Sequence, residues 1–229
     1  MAFPRAALRA LDRRQGALAG KFRRTPESGV IRACNGRKFI VFKNVFWAFY
    51  DNPLLEDFPV KVGESVLDVG TGTGVIAIFA AYKGAGRVLA VEVNPSAVKC
   101  ARENARRHGF GKKIEVRLSD MFDSVRPDEK FDVIAANLPF RDKPAADLAE
   151  ASMWDGNLRA HRKFFDGVAL RLNPGGRVYV NQSNFGAVAE MKELARKAGF
   201  SFKLFATKRY PKGNPLYPCE FYAFELKVK

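Results

Sequence analysis

The chain has 229 residues, 47% hydrophobic and 28% charged, with a formal net charge of +15 and a pI near 9.9. That length holds one good-sized domain with a small extension, the composition is that of a globular rather than a disordered protein, and no apolar run reaches the length of a membrane span. Cys34, Cys100 and Cys219 are odd in number and far apart, which argues against a zinc site and fits a reducing cytosol.

Residues 5–24 are predicted to form a basic helix that Thr25-Pro26-Glu27-Ser28-Gly29 breaks. Residues 1–43 hold eleven Lys and Arg against only Asp12 and Glu27, so most of the positive excess sits here. A field of that sign attracts polyanions and points to a nucleic-acid or ribosomal partner, although phosphate contacts read no sequence. Arg5, Arg9 and Arg13 recur at helical spacing, suited either to a phosphate backbone or to a solvated basic face. The Arg-rich start also resembles an organelle transit peptide; because the chain begins at Met1 with this segment present, its retention is expected. Val30–Cys34 and Lys38–Phe42 flank Asn35-Gly36, a hairpin signal. Residues 45–58 are aromatic and read as partly helical. Phe42, Phe46, Trp47, Phe49 and Tyr50 serve either as core or as a cover over a ligand.

From about residue 60 the pattern turns to alternating strands and helices. Ser65–Val69 is a predicted strand, followed by Gly70–Gly74 and a buried helix to Tyr82. Arg87–Val93 is the next strand, and Pro95 opens a helix running to about His108. Ile114–Leu118 and Phe131–Ala136 are further strands. A helix over Arg159–Leu172 stops at Asn173-Pro174-Gly175-Gly176, a strand covers Arg177–Asn181, and a helix over Ala187–Ala198 ends at Gly199. Phe202–Thr207 and Glu220–Lys227 have no helix between them and form an antiparallel edge. The fold class is therefore α/β: a doubly wound, mostly parallel seven-stranded sheet from about residue 60 to 229, preceded over 1–59 by a basic extension of a helix and a β-hairpin. In such sheets ligands sit outside the carboxyl ends of the strands. His108 and His161 stand alone and are read as surface residues, and no metal is expected.

The stretch VLDVGTGTGVIAI (66–78) is a strand, a glycine turn and a helix. Gly70, Gly72 and Gly74 allow a sharp turn and close approach of a ligand to the backbone, and the helix start offers free N–H groups. A dinucleotide fingerprint needs Gly or Ala at position 75, where Val stands, so a nicotinamide cofactor is disfavoured. Glu92 ends the second strand of the alternating region, placed to accept both hydroxyls of a ribose. Asp120, in RLSDMF, lies past the third, placed to accept from an adenine amino group.

With these three features in order, residues 60–229 resemble the class I S-adenosylmethionine-dependent methyltransferases, whose fold is Rossmann-like. VLDVGTGTG is similar to their first motif, AVEVNP to their ribose-binding acid, SDMF to their adenine-binding segment, and LNPGGRVYV to the turn before their fifth strand. The resemblance implies S-adenosylmethionine as cofactor. It implies that Asp68 helps hold the methionine amino end, with Gly70, Thr71, Gly72 and Gly74 beneath the cofactor, Glu92 and Val93 at the ribose, and Asp120 and Met121 near the adenine.

Asn137-Leu138-Pro139-Phe140 follows the fourth of these strands. It resembles the signature of enzymes that methylate a planar nitrogen: an exocyclic base amine or a glutamine amide. Such a nitrogen is a poor nucleophile because its lone pair is delocalised. Two acceptors, the Asn137 side-chain oxygen and the Leu138 carbonyl, would orient it and stabilise the charge it gains. Pro139 fixes the turn and Phe140 offers a stacking face. Release-factor glutamine and ribosomal guanine-N2 enzymes usually carry Asn-Pro-Pro-Tyr or Asn-Pro-Pro-Phe, and ribosomal RNA adenine-N6 dimethylases often carry Asn-Leu-Pro-Phe but lack GTGTG. VFWAFYDNPLLEDF and NPSAVKCARENARRHG are closer to the glutamine and guanine group, whose glutamine members have a helical substrate domain that residues 1–59 are too short to hold.

The expectation is a cytoplasmic N-methyltransferase acting on an exocyclic base amine of RNA, with ribosomal RNA among the candidates. A protein glutamine is the alternative substrate, and an aminopropyltransferase or a non-catalytic RNA-binding protein on the same fold is a more distant one. Residues 141–158 are long for a connection and are read as a mobile substrate lid, with Arg141 and Trp154 as its candidate contacts. No membrane partner is expected, and the oligomeric state is left open.

Overall fold

The computed structural model describes residues 3, 5–47, 52–55, 57–214 and 217–229. Its first element, α1 (Arg5–Arg24), is followed by the hairpin β1 (Val30–Cys34) and β2 (Arg37–Val41). Asn35 and Gly36 both take positive φ (46° and 74°), the backbone that a two-residue hairpin turn demands.

The sheet then begins. β3 (Ser65–Val69), α2 (Val75–Tyr82), β4 (Arg87–Glu92), α3 (Pro95–Arg107), β5 (Ile114–Leu118) and β6 (Phe131–Ala136) alternate as expected. A short α4 (Leu148–Ala151) and α5 (Arg159–Gly167) lead to β7 (Leu172–Ser183), α6 (Val188–Lys197), β8 (Phe200–Arg209) and β9 (Glu220–Val228). The seven strands run in the order β5-β4-β3-β6-β7-β9-β8. The first five are mutually parallel, and β9 pairs antiparallel with both β7 and β8.

Both faces of the sheet are covered. One carries α2, apolar all round and almost wholly buried, together with α3 and the hairpin, whose Cys34 and Phe39 enter the same core. The hairpin is pinned to α3 by Asn104, which accepts from the Ile40 N–H (2.8 Å) and donates to its carbonyl (2.8 Å). The other face carries α5 and α6, with Phe131, Phe164, Met191 and Phe200 buried. Strand order reverses between β3 and its two parallel neighbours, β4 and β6. The carboxyl ends of β3, β4, β5 and β6 therefore open on one rim at the switch point, where doubly wound sheets bind ligands.

Three local readings are corrected. Asn173-Pro174-Gly175-Gly176 does not separate helix from strand: β7 starts at Leu172 and takes these residues into a bulge, with the pairing register shifting between Phe131 and Val133. The preceding helix ends earlier than expected, at Gly167, after which residues 168–171 form a 3-10 turn. His161 is fully buried, because Asp155 and Gln182 give both ring nitrogens polar partners. Of the residues 45–58 read as partly helical, 48–51 and 56 lie outside the described residues, Phe49 and Tyr50 among them; 53–55 form a turn.

Candidate active site

β3 delivers Asp68 into the interior, where its carboxylate accepts from the Thr71 hydroxyl (2.6 Å) and the Ala77 N–H (3.1 Å). These bonds tie the glycine loop to the start of α2. The other carboxylate oxygen, Oδ1, is buried without a partner among the described residues. Burial pushes the Asp68 pKa up to about 7, against the lowering effect of the two hydrogen bonds, and Glu92 adds to the rise. Gly70 and Gly72 take positive φ (71° and 56°), and a Cβ on either would meet no protein atom within 4 Å. The space beside this backbone is open. Gly74 differs: its positive φ (83°) goes with close packing on the Ala101 backbone, at 3.2 Å from an ideal Cβ, so it seats α2 against α3.

Glu92, at the end of β4, accepts from the Gly72 N–H (2.9 Å) and the Asn94 N–H (2.9 Å). Burial raises its pKa; the Asn94, Gly72 and Val93 N–H groups act the other way. Asn94 in turn caps α3 by accepting from the Ser96 N–H (3.0 Å), with Pro95 in the first turn. Asp120 lies past β5 and is paired with Arg159 (2.5 Å) and Lys163 (3.1 Å). Partial burial alone would raise its pKa, but these two cations hold it below the usual carboxylate range. Met121 follows with φ 52°, its carbonyl held by the Ser119 hydroxyl (2.9 Å).

Two cavities meet at the end of β6. The larger, about 500 Å³, has Gly70, Thr71, Gly72, Glu92 and Val93 on one side and Asp120, Met121, Trp154 and Arg159 on the other. The smaller, about 320 Å³, lies between the turn after β6 and α1. Asn137, Leu138 and Pro139 line both. Phe140 lines the smaller, packed edge-on against Phe185 and tilted against Phe221. The Asn137 carboxamide is half-buried and has no hydrogen-bond partner among the described residues. The turn itself is held by its neighbours: the Phe140 carbonyl accepts from Ala187 N–H (2.9 Å), and the Arg141 carbonyl from Asp155 N–H (2.7 Å).

α1 closes the smaller cavity. Its Ala19 and Phe22 pack on Ala149, Met153 and Trp154. The Trp154 indole N–H donates to Gln15 (2.8 Å), Arg23 pairs with Asp147 (2.8 Å) and Glu150 (3.0 Å), and Arg141 pairs with Asp12 (3.3 Å).

A family model, the methyltransferase small domain, matches residues 51–201. The chain belongs to that family. It is an S-adenosylmethionine-dependent methyltransferase. It is similar to a release factor glutamine methyltransferase of Cereibacter sphaeroides, with 32% identity over 84% of this chain and 74% of that one. It is also similar to a ribosomal protein L11 methyltransferase of Caldicellulosiruptor bescii, with 49% identity, but over 34% of this chain and only 25% of that protein. Among solved structures, the T. thermophilus 16S rRNA N2 G1207 methyltransferase in complex with AdoMet and guanosine shares the fold, with a TM-score of 0.62 and 21% identity over 88% of this chain and 50% of that one.

In this methyltransferase, Gly70, Thr71, Gly72, Glu92, Val93, Asp120, Met121 and Asn137 stand together on the larger cavity. Asp68 and Gly74 are not on its wall; they shape the loop from behind. Of the two residues expected to touch substrate, Trp154 lines the larger cavity, whereas Arg141 lines neither and ties the turn to α1. Arg9 and Arg13 are exposed and line neither cavity, and the side chain of Arg5 lies outside the described residues. The cations on the smaller cavity are Arg14 and Lys21, which the Arg5-Arg9-Arg13 spacing passed over. Their signal was present: Leu11, Leu18 and Phe22 mark an apolar stripe along α1, and Arg14 and Lys21 flank it.

Proposed function

We propose that this methyltransferase transfers a methyl group to an exocyclic amine of an RNA base, with the cofactor in the larger cavity and the base in the smaller. The observation that carries this reading is Asn137: a half-buried carboxamide with no partner among the described residues, on the wall that the two cavities share.

The residues present fit S-adenosylmethionine. The larger cavity has a volume ordinary for a cofactor, and Gly70 and Gly72 leave their backbone open to it. Glu92 would hold the ribose hydroxyls, Asp120 and Met121 the adenine, and the Gly70–Gly72 backbone the remainder. Once bound, the cofactor supplies an electrophilic methyl on a sulfonium sulfur. The Asn137 oxygen and the Leu138 carbonyl accept the two N–H groups of the substrate amine and point its lone pair at that methyl. Both acceptors would stabilise the positive charge that builds on nitrogen as it takes the methyl and the carbon–sulfur bond breaks, its electron pair staying on a neutral thioether sulfur; the surplus proton would then pass to water. Most of the acceleration comes from placement of the reactants.

RNA is preferred over protein because the smaller cavity has aromatic walls (Phe46, Phe140, Phe185, Phe221), carries Arg14 and Lys21, and counts no carboxylate among its described lining residues. A glutamine side chain is the second reading, favoured by the 32% identity to a release factor glutamine methyltransferase. Labelled-methyl transfer to total RNA and total protein, with nuclease and protease controls, tests the choice. Label sensitive to nuclease is expected; label sensitive only to protease would replace RNA with protein as the substrate.

A further inference from the structure

Behind the turn that follows β6 lies a buried imidazole that the transfer chemistry does not use. His161, in α5, is fully buried and lines neither cavity. Its Nδ1 meets the Asp155 carboxylate (2.7 Å) and its Nε2 the Gln182 amide nitrogen (3.3 Å). The orientation of Gln182 places the proton. Gln182 Oε1 accepts from the Ser183 N–H (3.0 Å), so its Nε2 is the end that donates to the ring. His161 Nε2 is then the bare nitrogen, and Nδ1 carries the proton and donates it to Asp155. Burial alone would raise the Asp155 pKa, but the His161 ring and the Ala160 and His161 N–H groups hold it below the usual carboxylate range, so the ring faces an ionised acceptor.

From both ends this pair of bonds runs on to the turn. The Asp155 N–H donates to the Arg141 carbonyl (2.7 Å). On the other side the Ser183 carbonyl accepts from the Gly186 N–H (3.0 Å), and the next N–H, of Ala187, donates to the Phe140 carbonyl (2.9 Å). Gly186 packs so closely that an ideal Cβ would strike Gln182 Oε1 and stand 2.7 Å from the Phe140 carbonyl oxygen. The bonds therefore close a ring, from Phe140 and Arg141 through Asp155, His161, Gln182 and Ser183 to Gly186 and Ala187, and back to Phe140. Asp155 and Gln182 are themselves buried, where hydrogen bonds are strong and an unpaired polar group is costly. Without the imidazole both would lose a partner, and the two supports of the turn could shift independently.

We propose that His161 is a positioning residue for methyl transfer: it joins the two supports of the turn after β6 and so fixes the Asn137 carboxamide and the Leu138 carbonyl opposite the methyl donor. This rests on the assignment of that turn to catalysis and is independent of the choice between RNA and protein.

Two substitutions break the ring at different links. His161→Leu removes both imidazole bonds, and Gln182→Met removes the next link with a side chain of similar length. His161→Gln keeps a donor and an acceptor about as far apart as the ring nitrogens. Labelled-methyl transfer at saturating cofactor is measured on total RNA and total protein at a temperature where melts show every variant folded, and cofactor affinity is measured by calorimetry. Each break is expected to slow transfer about 10- to 100-fold, the scale of a small misplacement of the reacting groups, with cofactor affinity within about threefold and with His161→Gln recovering most of the rate. The chain has only two histidines, so ring-nitrogen NMR of histidine-labelled wild type, with His108→Gln for assignment, reads His161 directly. A single proton on Nδ1 is expected at neutral pH. A lower Tm with an unchanged rate per folded molecule, equal losses of rate and cofactor affinity, or a proton on Nε2 overturns the proposal. Wild-type transfer by Asn137→Ala overturns the catalytic turn itself; transfer lost in Asn137→Ala but intact in both ring-breaking variants overturns the positioning role alone.

Discussion

Asn137 and Glu92 lie on the same cavity and answer to different tests. Asn137 makes no hydrogen bond to any described residue, so truncation removes nothing that holds the fold together. Asn137→Ala is expected to lower kcat by about 10² to 10³, the usual effect of deleting one group that stabilises developing charge, while cofactor affinity measured by calorimetry changes less than about twofold. Loss of both together would sink the role assigned to it. Glu92 is built into the loop through Gly72 and Asn94. Glu92→Ala strips those N–H groups of their acceptor and should weaken cofactor binding by about 1.5–3 kcal/mol, seen in the same titration. Gly186 acts on the turn from behind. A Cβ there would press on the Gln182 amide and stand 2.7 Å from the Phe140 carbonyl oxygen. Gly186→Ala should cost about 1–3 kcal/mol, read as a lower Tm, and should reduce kcat more than cofactor affinity, because the displaced atom belongs to the catalytic turn.

At the scale of elements, α1 and residues 141–154 form one unit. Ala19 and Phe22 belong to a cluster with Ala149, Met153 and Trp154 that is separate from the two cores on the faces of the sheet. A chain starting at Thr25 should therefore keep the sheet and bind cofactor within a few-fold of wild type, yet lose transfer to RNA, since the outer wall of the smaller cavity is gone. Near-normal transfer by that chain would show the wall to be dispensable. The parallel sheet, the glycine loop, the acids at the strand ends and the turn after β6 were legible because each is specified by residues near it in sequence. Val133–Ala136 is an apolar run, Val66, Leu67 and Val69 are apolar around the single acid Asp68, and Gly70 and Gly72 take the backbone that only the loop requires. The docking of α1 was not legible. Its charge is conspicuous, while the partners of its apolar stripe, Met153 and Trp154, lie about 130 residues away. His161 was misread for a related reason: a lone imidazole looks like a surface group until Asp155, six residues earlier, and Gln182, on a different strand, come to meet its two nitrogens (2.7 and 3.3 Å). The bulge in β7 was missed because Pro174, Gly175 and Gly176 also suit a turn, and only pairing with Phe131 and Val133 keeps them in the sheet.

Over the whole molecule, carboxylates have been moved in opposite directions, and their sum sets how stability depends on pH. Glu129 is buried beside Arg117, whose two N–H groups reach it at 2.7 and 2.9 Å, and this pairing holds its pKa down to about 2. A group lowered in this way contributes stability above the ordinary carboxylate range and loses it only as pH falls toward 2. Asp68, raised by burial to about 7, and Glu92, also raised by burial, have the opposite sign. Between the ordinary carboxylate range and about pH 7, Asp68 holds a proton in the folded chain and lacks it in the unfolded one. The unfolded state binds fewer protons, so stability falls as pH rises, by about 1.4 kcal/mol per unit for a group fully inside that window. His108, lowered by burial, opposes this near pH 6, because a base with a depressed pKa favours the folded state as pH rises. A comparison with Asp68→Asn removes the histidine from the argument, since both proteins carry it. Thermal melts of cofactor-free protein at pH 5, 6, 7 and 8 should show the Tm of wild type falling relative to that of Asp68→Asn by about 3–5 °C per unit up to pH 7. The difference should then level off, because above about pH 7 the carboxylate is ionised in both states and no further protons are exchanged. Parallel curves for the two proteins would mean that Asp68 ionises in its ordinary range, and that the buried oxygen facing no donor is accommodated without holding a proton.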